Sequence, residues 1–379
     1  MAETTPTPVS RFAWRRLPFN IQIEPRLQTT GRWMPIVTSL AALVLALFFG
    51  GILIAIVGGD PLATYAHIAN VAFGSLGGIS DTLAKATPLI FVGLACAMAF
   101  RMKLWNIGAE GQFFLGAFGA SAVVLIPLLP AATSPWLFLP AMMIAGMLTG
   151  ALWGFVPGFL KARFNVNEVI TTLMMNYIAI AWNNFFIFAV WSESGFQMSP
   201  MFPRTAWMPR LSDLAAQVPD FRGLTLHLGF IIAIVAAVII WFILHRSKWG
   251  YEIRLIGDNP KAAQYAGIPI KRNIILVMMV SGALAGLGGV SEISGVVHRL
   301  QGAISPGYGF TGIIIAWLAK LNPFAVILVS IFFGALLLAG REIQPSGIPK
   351  MIQGIVLVCL IASDFFVHYR VRIARRAEV

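Results

Sequence analysis

Charge is what this chain has least of. Asp and Glu number 15 among 379 residues, and charged residues of both signs make up 11% of the chain against 58% hydrophobic. A soluble domain carries about a quarter charged residues, so that class is excluded. Reactive groups are as sparse. Histidine occurs 5 times, always singly, at His67, His227, His245, His298 and His368. There is no G-x-x-x-x-G-K-[ST], no G-x-S-x-G and no H-E-x-x-H. No enzyme is expected, and no metal or cofactor on this chain; any ATP chemistry must come from another one. The 2 cysteines, Cys96 and Cys359, lie far apart inside apolar segments. Without C-x-x-C spacing they form neither a disulfide framework nor a metal site. The net charge of +12 would suggest nucleic acid in a soluble protein. No basic patch with interleaved aromatics stands outside the apolar runs, so no nucleic-acid partner is expected. Lys and Arg retained on the cytoplasmic side of a membrane explain the balance.

What is present is apolar sequence in runs of about 20 residues, recurring from Trp33 to the C-terminus. The predicted fold is all-α, a polytopic membrane bundle of about ten spans. They fall near 34–57, 83–100, 107–128, 136–160, 169–191, 226–245, 273–297, 303–320, 322–340 and 351–367. The transmembrane domain is thus 34–367, between a tail 1–33 and a tail 368–379. The first tail is too long and irregular for a signal peptide. It carries Arg11, Arg15, Arg16, Arg26 and Arg32, and the loop 246–272 carries Arg246, Lys248, Arg254, Lys261, Lys271 and Arg272. With Arg370, Arg372, Arg375 and Arg376 at the end, all three basic segments share one side, which makes both termini cytoplasmic. The segment 58–82 has Asp60 and Asp81 and no Lys or Arg. The balanced, proline-rich 192–225 is expected as an ordered, irregular external loop.

Several spans are short or interrupted. Pro88 lies in the second span, Gly108, Gly111, Gly116 and Gly119 open the third, and Pro306, Gly307, Gly309 and Gly312 crowd the eighth. Broken helices at matching places in two halves point to a transport site near the midplane. The halves are about 83–191 and 273–367. Gly108–Gly154 and Gly307–Gly340 follow one pattern and enter the membrane in opposite directions, as an inverted repeat would.

Three constellations carry polar chemistry. Asn106, Glu110 and Gln112 stand at a membrane entry, where they either line a solute path or satisfy backbone freed by a broken helix. Asn167 or Asn165 can cap a helix begun by Glu168. Thr172 and Asn176, four apart, share a face of that helix which Asn183 continues. This neutral stripe suits an uncharged polar solute, or bonds between helices. Gly282, Gly286 and Gly289 give small-xxx-small spacings for close helix packing, and Glu292 follows as the second deep acid. Glu110 and Glu292 could instead carry protons in an ion-coupled secondary transporter, although no His or Asp relay accompanies them.

A short helix is predicted inside the basic loop, in Gly257-Asp258-Asn259-Pro260-Lys261-Ala262-Ala263-Gln264-Tyr265-Ala266-Gly267-Ile268. Asn259 suits the N-cap and Pro260 the first helical position. Ala262, Ala263 and Ala266 favour helix, and Gly267 can take the left-handed turn that ends it. About two turns are too few for stability alone, so the helix must lean on the bundle or on a partner.

Asn106 to Gln112, Asn167 to Ile170 with Met174-Met175-Asn176-Tyr177, Gly257 to Ile268, and Gly307-Tyr308-Gly309-Phe310-Thr311-Gly312-Ile313 together resemble the permease subunits of bacterial ABC importers. The similarity is to the branched-chain amino acid and simple sugar permease superfamily, in its nucleoside or simple-sugar branch, and runs from about residue 35 to 367. The resemblance implies uptake of a polar solute, nucleosides or simple sugars, across the bacterial inner membrane. It further implies a second permease subunit, identical or similar, two cytoplasmic ABC ATPase subunits that hold ATP and magnesium, and an external solute-binding protein. The short loop helix, Asn259 through Ile268, would be the coupling helix that sits in a groove of the ATPase. The long tail before residue 34 departs from the family's usual short N-terminus.

Overall fold

The computed structural model describes residues 19–25, 34–126, 130, 133–193, 195–340 and 347–375. A strand β1 (Phe19–Pro25) precedes helices α1 (Met34–Ile56), α2 (Pro61–Phe73), α3 (Leu76–Arg101), α4 (Ala109–Leu125), α5 (Pro135–Phe164) and α6 (Glu168–Phe185). Helices α7 (Gly229–Arg246), α8 (Lys248–Asp258), α9 (Pro260–Tyr265) and α10 (Ile270–Glu292) follow, then α11 (Tyr308–Leu318), α12 (Pro323–Ala339), α13 (Ile348–His368) and strand β2 (Tyr369–Arg375). Single π-helical turns, Phe186–Val190 and Ile293–Val297, prolong α6 and α10.

Six of these helices are long and apolar enough to cross a membrane, and four shorter apolar ones lie at Ala109–Leu125, Tyr308–Leu318, Pro323–Ala339 and Ile348–Ser363. The body is therefore the helical membrane bundle read from the sequence, with two differences in its connections. The segment 58–82 is helical for most of its length. Asp60 caps α2 by accepting from the Leu62 and Ala63 amides, and Ser75 caps α3, which begins at Leu76 rather than near 83. Gly77, Gly78 and Asp81 lower the hydropathy of the first turns of α3, which hid them from an apolar-run reading. Outside the bundle, the two tails form an antiparallel ribbon, with Ile21 opposite Ile373 and Glu24 opposite Arg370. The apolar–polar alternation of Phe19-Asn20-Ile21-Gln22-Ile23-Glu24 is a period-two strand signal.

Packing follows a reciprocal plan. Helix α10 lies on α4 and α5, while α3 lies on α11 and α12. Each half thus packs around the opening helix of the other. Close approach at the first of these crossings depends on glycine. A Cβ on Gly282 would stand 2.2 Å from the Gly150 carbonyl oxygen, one on Gly286 2.3 Å from that of Gly146, and one on Gly289 2.2 Å from that of Phe113. Backbones this near leave no room for any side chain, and dispersion then acts over the whole crossing.

Candidate functional site

Helices α4 and α11 begin inside the bundle and meet N-terminus to N-terminus. A Cβ on Gly309 would fall 2.2 Å from the Glu110 amide nitrogen, so the two backbones touch. Glu110, in the first turn of α4, accepts the Gly309 amide proton at 2.6 Å and a hydrogen bond from the Ser305 hydroxyl. Ser305 in turn accepts from the amides of Gly307 and Tyr308. The carboxyl group therefore sits where the N-termini of two helices converge and accepts two hydrogen bonds there.

Beside it lies a closed amide network. The Asn106 Nδ2 donates to Gln112 Oε1 and to Ser281 Oγ, both at 2.8 Å, and Asn106 Oδ1 accepts from the Gly108 amide at 3.1 Å. Ser281 passes its proton to the Ala95 carbonyl at 2.7 Å. On α6, Asn176 donates to the Ile107 carbonyl at 2.9 Å and accepts from the Gly111 amide at 2.8 Å. It thereby holds both sides of the break before α4. Thr172 bonds back to the Glu168 carbonyl, one turn earlier on its own helix. Asn183 donates to the Gln301 carbonyl at 3.3 Å.

Glu292 is ion-paired with Lys85 at 2.9 Å, and the Tyr308 hydroxyl lies 3.4 Å from each of them. The pair joins α3 to α10 across 207 residues of sequence. Lys85 went unread in the sequence although a lysine inside an apolar span is itself a signal of an internal partner. Of the two deep acids, Glu292 is thus ion-paired and Glu110 hydrogen-bonded.

At the end of the bundle that carries α8 and α9, the chain forms an elbow. Asn259 accepts from the Ala262 amide at 3.1 Å, Pro260 opens α9, and Gly267 has a φ of +73°. Ala263 is fully buried against the bundle and Ile268 half-buried, whereas Tyr265 is 92% exposed. Gly257 and Asp258 belong instead to the end of α8, an amphipathic helix that the sequence reading did not separate from α9. A Cβ on Gly257 would meet the Arg101 carbonyl at 2.4 Å, so this glycine seats the elbow on the end of α3.

The opposite end holds a second polar cluster. Arg210 donates to the carbonyls of Gly295 (2.8 Å) and Val296 (3.2 Å) and meets the Nε2 of His298. Trp207 stacks on His298 at 3.6 Å, and Arg204 lies 4.0 Å above the Trp207 ring. Burial, aided by the Arg210 charge, lowers His298 to about 4 and His227 to about 3. Two of the five histidines, His227 and His298, thus belong to one latch, which ties the loop before α7 to the end of α10.

Fold and site define a multi-pass transport subunit whose broken helices meet in its core. The chain belongs to the family described as branched-chain amino acid transport system / permease component, whose model matches residues 78–361. It is 36% identical over 336 residues to the guanosine ABC transporter permease protein NupP of Bacillus subtilis, covering 87% of this chain and 94% of that one. It is 33% identical over 364 residues to the glucose ABC transporter permease protein TsgB13 of Haloferax volcanii, covering 93% and 94%. The nucleoside ABC transporter permease protein NupB of Lactococcus lactis is 33% identical over 338 residues, covering 86% and 89%. The chain is accordingly a permease subunit of an ATP-binding-cassette transporter. The ion-coupled carrier finds no support in these relatives.

Proposed function

We propose that this subunit imports nucleosides, or a sugar of related chemistry, using ATP hydrolysed on separate cytoplasmic chains. The observation that carries the reading is the α8–α9 elbow. It is fastened to the bundle through Gly257 and Ala263 and presents Tyr265 almost fully to solvent. A six-residue helix cannot hold its shape alone, and an exposed aromatic beside Lys261 and Gln264 offers a partner a graspable surface. The Lys and Arg that collect in this loop support a cytoplasmic position for this end by the positive-inside rule, in a bacterial inner membrane. The ATPase, with its ATP and magnesium, docks there; a solute-binding protein delivers solute at the other end, and a second permease subunit completes the membrane assembly.

In this reading Asn106, Glu110, Gln112, Thr172, Asn176, Asn183 and Glu292 hold the broken halves in register so that the elbow's movement reaches the whole bundle. The test is reconstitution of the chain with its ATPase, second permease and binding protein in liposomes. Replacing Asn259–Gly267 by a Gly/Ser linker is expected to abolish ATP-driven guanosine uptake while the subunit still assembles in the membrane. Wild-type uptake with the linker in place would overturn the proposal. Competition by glucose against guanosine then separates the two solute classes.

A further inference from the structure

Helix α11 is too short to cross a bilayer. Its 11 residues extend about 16 Å, roughly half of the hydrocarbon core. One end is fixed near the α8–α9 elbow, where Trp317 packs on Phe100 and stacks on Trp105. Its N-terminus therefore lies inside the bundle, beside Lys85, Glu110 and Glu292. The remainder of the crossing is made by residues 298–307, which are not helical. Non-helical backbone at membrane depth persists only where protein covers it or where it lines a water-filled cavity. This chain covers the first part, where His298 and Leu300 are buried and bonded to Phe202 and Ser199, and leaves 302–307 partly exposed around the buried Ile304. Ala303 and Pro306 are exposed, Gly302 and Ser305 are half-exposed, and Phe310 just beyond is 45% exposed.

Neutral polar groups of α6 stand beside it among apolar side chains. Asn183 is fully buried with its Oδ1 lacking any hydrogen-bond partner, while its Nδ2 holds the Gln301 carbonyl. Asn184 reaches to 3.4 Å from where a Cβ on Gly302 would stand. Tyr177, two turns earlier on the same flank of α6, is 65% exposed. The Asn106 network offers nothing comparable, because its amides are paired with one another and with backbone.

We infer that the solute passes along the surface where residues 301–307 meet α6, and not through the Asn106 network. Tyr177 and Asn184 meet a neutral, hydroxyl-rich solute there, Asn183 positions the broken segment, and the second permease subunit supplies the facing wall. This rests on the importer reading and adds the lining of its path.

The test uses the absence of accessible native thiols, since Cys96 and Cys359 are both buried. Ala303→Cys and Asn184→Cys are compared, in the reconstituted assembly, with Leu328→Cys on the 71% exposed face of α12. A membrane-impermeant cationic methanethiosulfonate is the probe. Both path variants are expected to react at least about tenfold faster than Leu328→Cys, to lose guanosine uptake on modification, and to be slowed by saturating guanosine. Reaction no faster than at Leu328→Cys, or uptake that survives complete modification, overturns the path. ATP-driven uptake before modification reports separately on the importer reading. Uptake with unreactive cysteines sinks the path alone, whereas no uptake of guanosine or glucose by the unsubstituted assembly sinks the importer.

Discussion

Two acidic side chains lie deep in this bundle, one hydrogen-bonded to backbone and one ion-paired. Glu292 relies on Lys85, and both side chains are largely withdrawn from solvent. Removing one member leaves an uncompensated charge, worth about 3–5 kcal/mol. Lys85→Met and Glu292→Met are each expected to lower the thermal midpoint of the purified subunit sharply, and the double variant to recover most of the loss. If the double variant is no better than the singles, the pair is not what holds α3 to α10. Asn176 shows the same logic without charge. Asn176→Ala strands the Ile107 carbonyl and the Gly111 amide, at about 1–3 kcal/mol for each group left unpaired. Unfolding in denaturant measures this directly, and an unchanged midpoint would contradict the clamp. These residues were legible in the sequence as polar groups inside apolar spans. Their partners were not, because an ion pair such as Lys85–Glu292 joins positions 207 residues apart. No local pattern marks such a pairing.

At the scale of elements, glycine sets how closely helices approach and where they end. Gly150→Val on α5 would drive its side chain into the Gly282 carbonyl, 2.3 Å from where a Cβ would stand. Overpacking of this kind costs about 1–3 kcal/mol or more. A lower thermal midpoint is expected for that variant and not for Gly354→Ala, which has open space around it. Tyr265→Ala on α9 should do the reverse. With 92% of the residue exposed, its loss should change stability by less than about 0.5 kcal/mol. ATP-driven uptake should nonetheless fall severalfold if the ATPase grips this ring. Equal uptake by Tyr265→Ala and the unsubstituted chain would move the grip elsewhere on the elbow. Helix α9 was readable because Asn259, Pro260 and Gly267 are local start and stop signals. Helix α8 was not separated from it, since Gly257-Asp258 looks like a turn until α3 is seen packed against it.

The whole molecule is tied at both ends, and the latch away from the elbow has a pH signature. His227 and His298 are lowered from the usual 6.5 to about 3 and about 4, mainly by burial. The unfolded chain therefore binds more protons between those values and 6.5, so stability must fall as pH falls. The contribution is complete above about pH 6.5 and is lost as pH drops through the folded values. The thermal midpoint should decline from pH 6.5 toward 4, and less steeply in His298→Gln. A slope that His298→Gln leaves unaltered would remove His298 from the latch.

Apolar run length and the caps around Asn259 were enough to determine the helical membrane class of the chain and its short loop helix, because each is a local property of the chain. The tertiary structure decided what the polar residues do. It turned Asn106, Gln112 and Asn176 toward one another and toward broken backbone, and matched Glu292 with Lys85. It also gathered His298, Trp207 and Arg210 at the far end and left residues 302–307 partly exposed beside α6. Hydrophobic periodicity says which face of a helix is buried, but only the packing of the two halves says what that face meets.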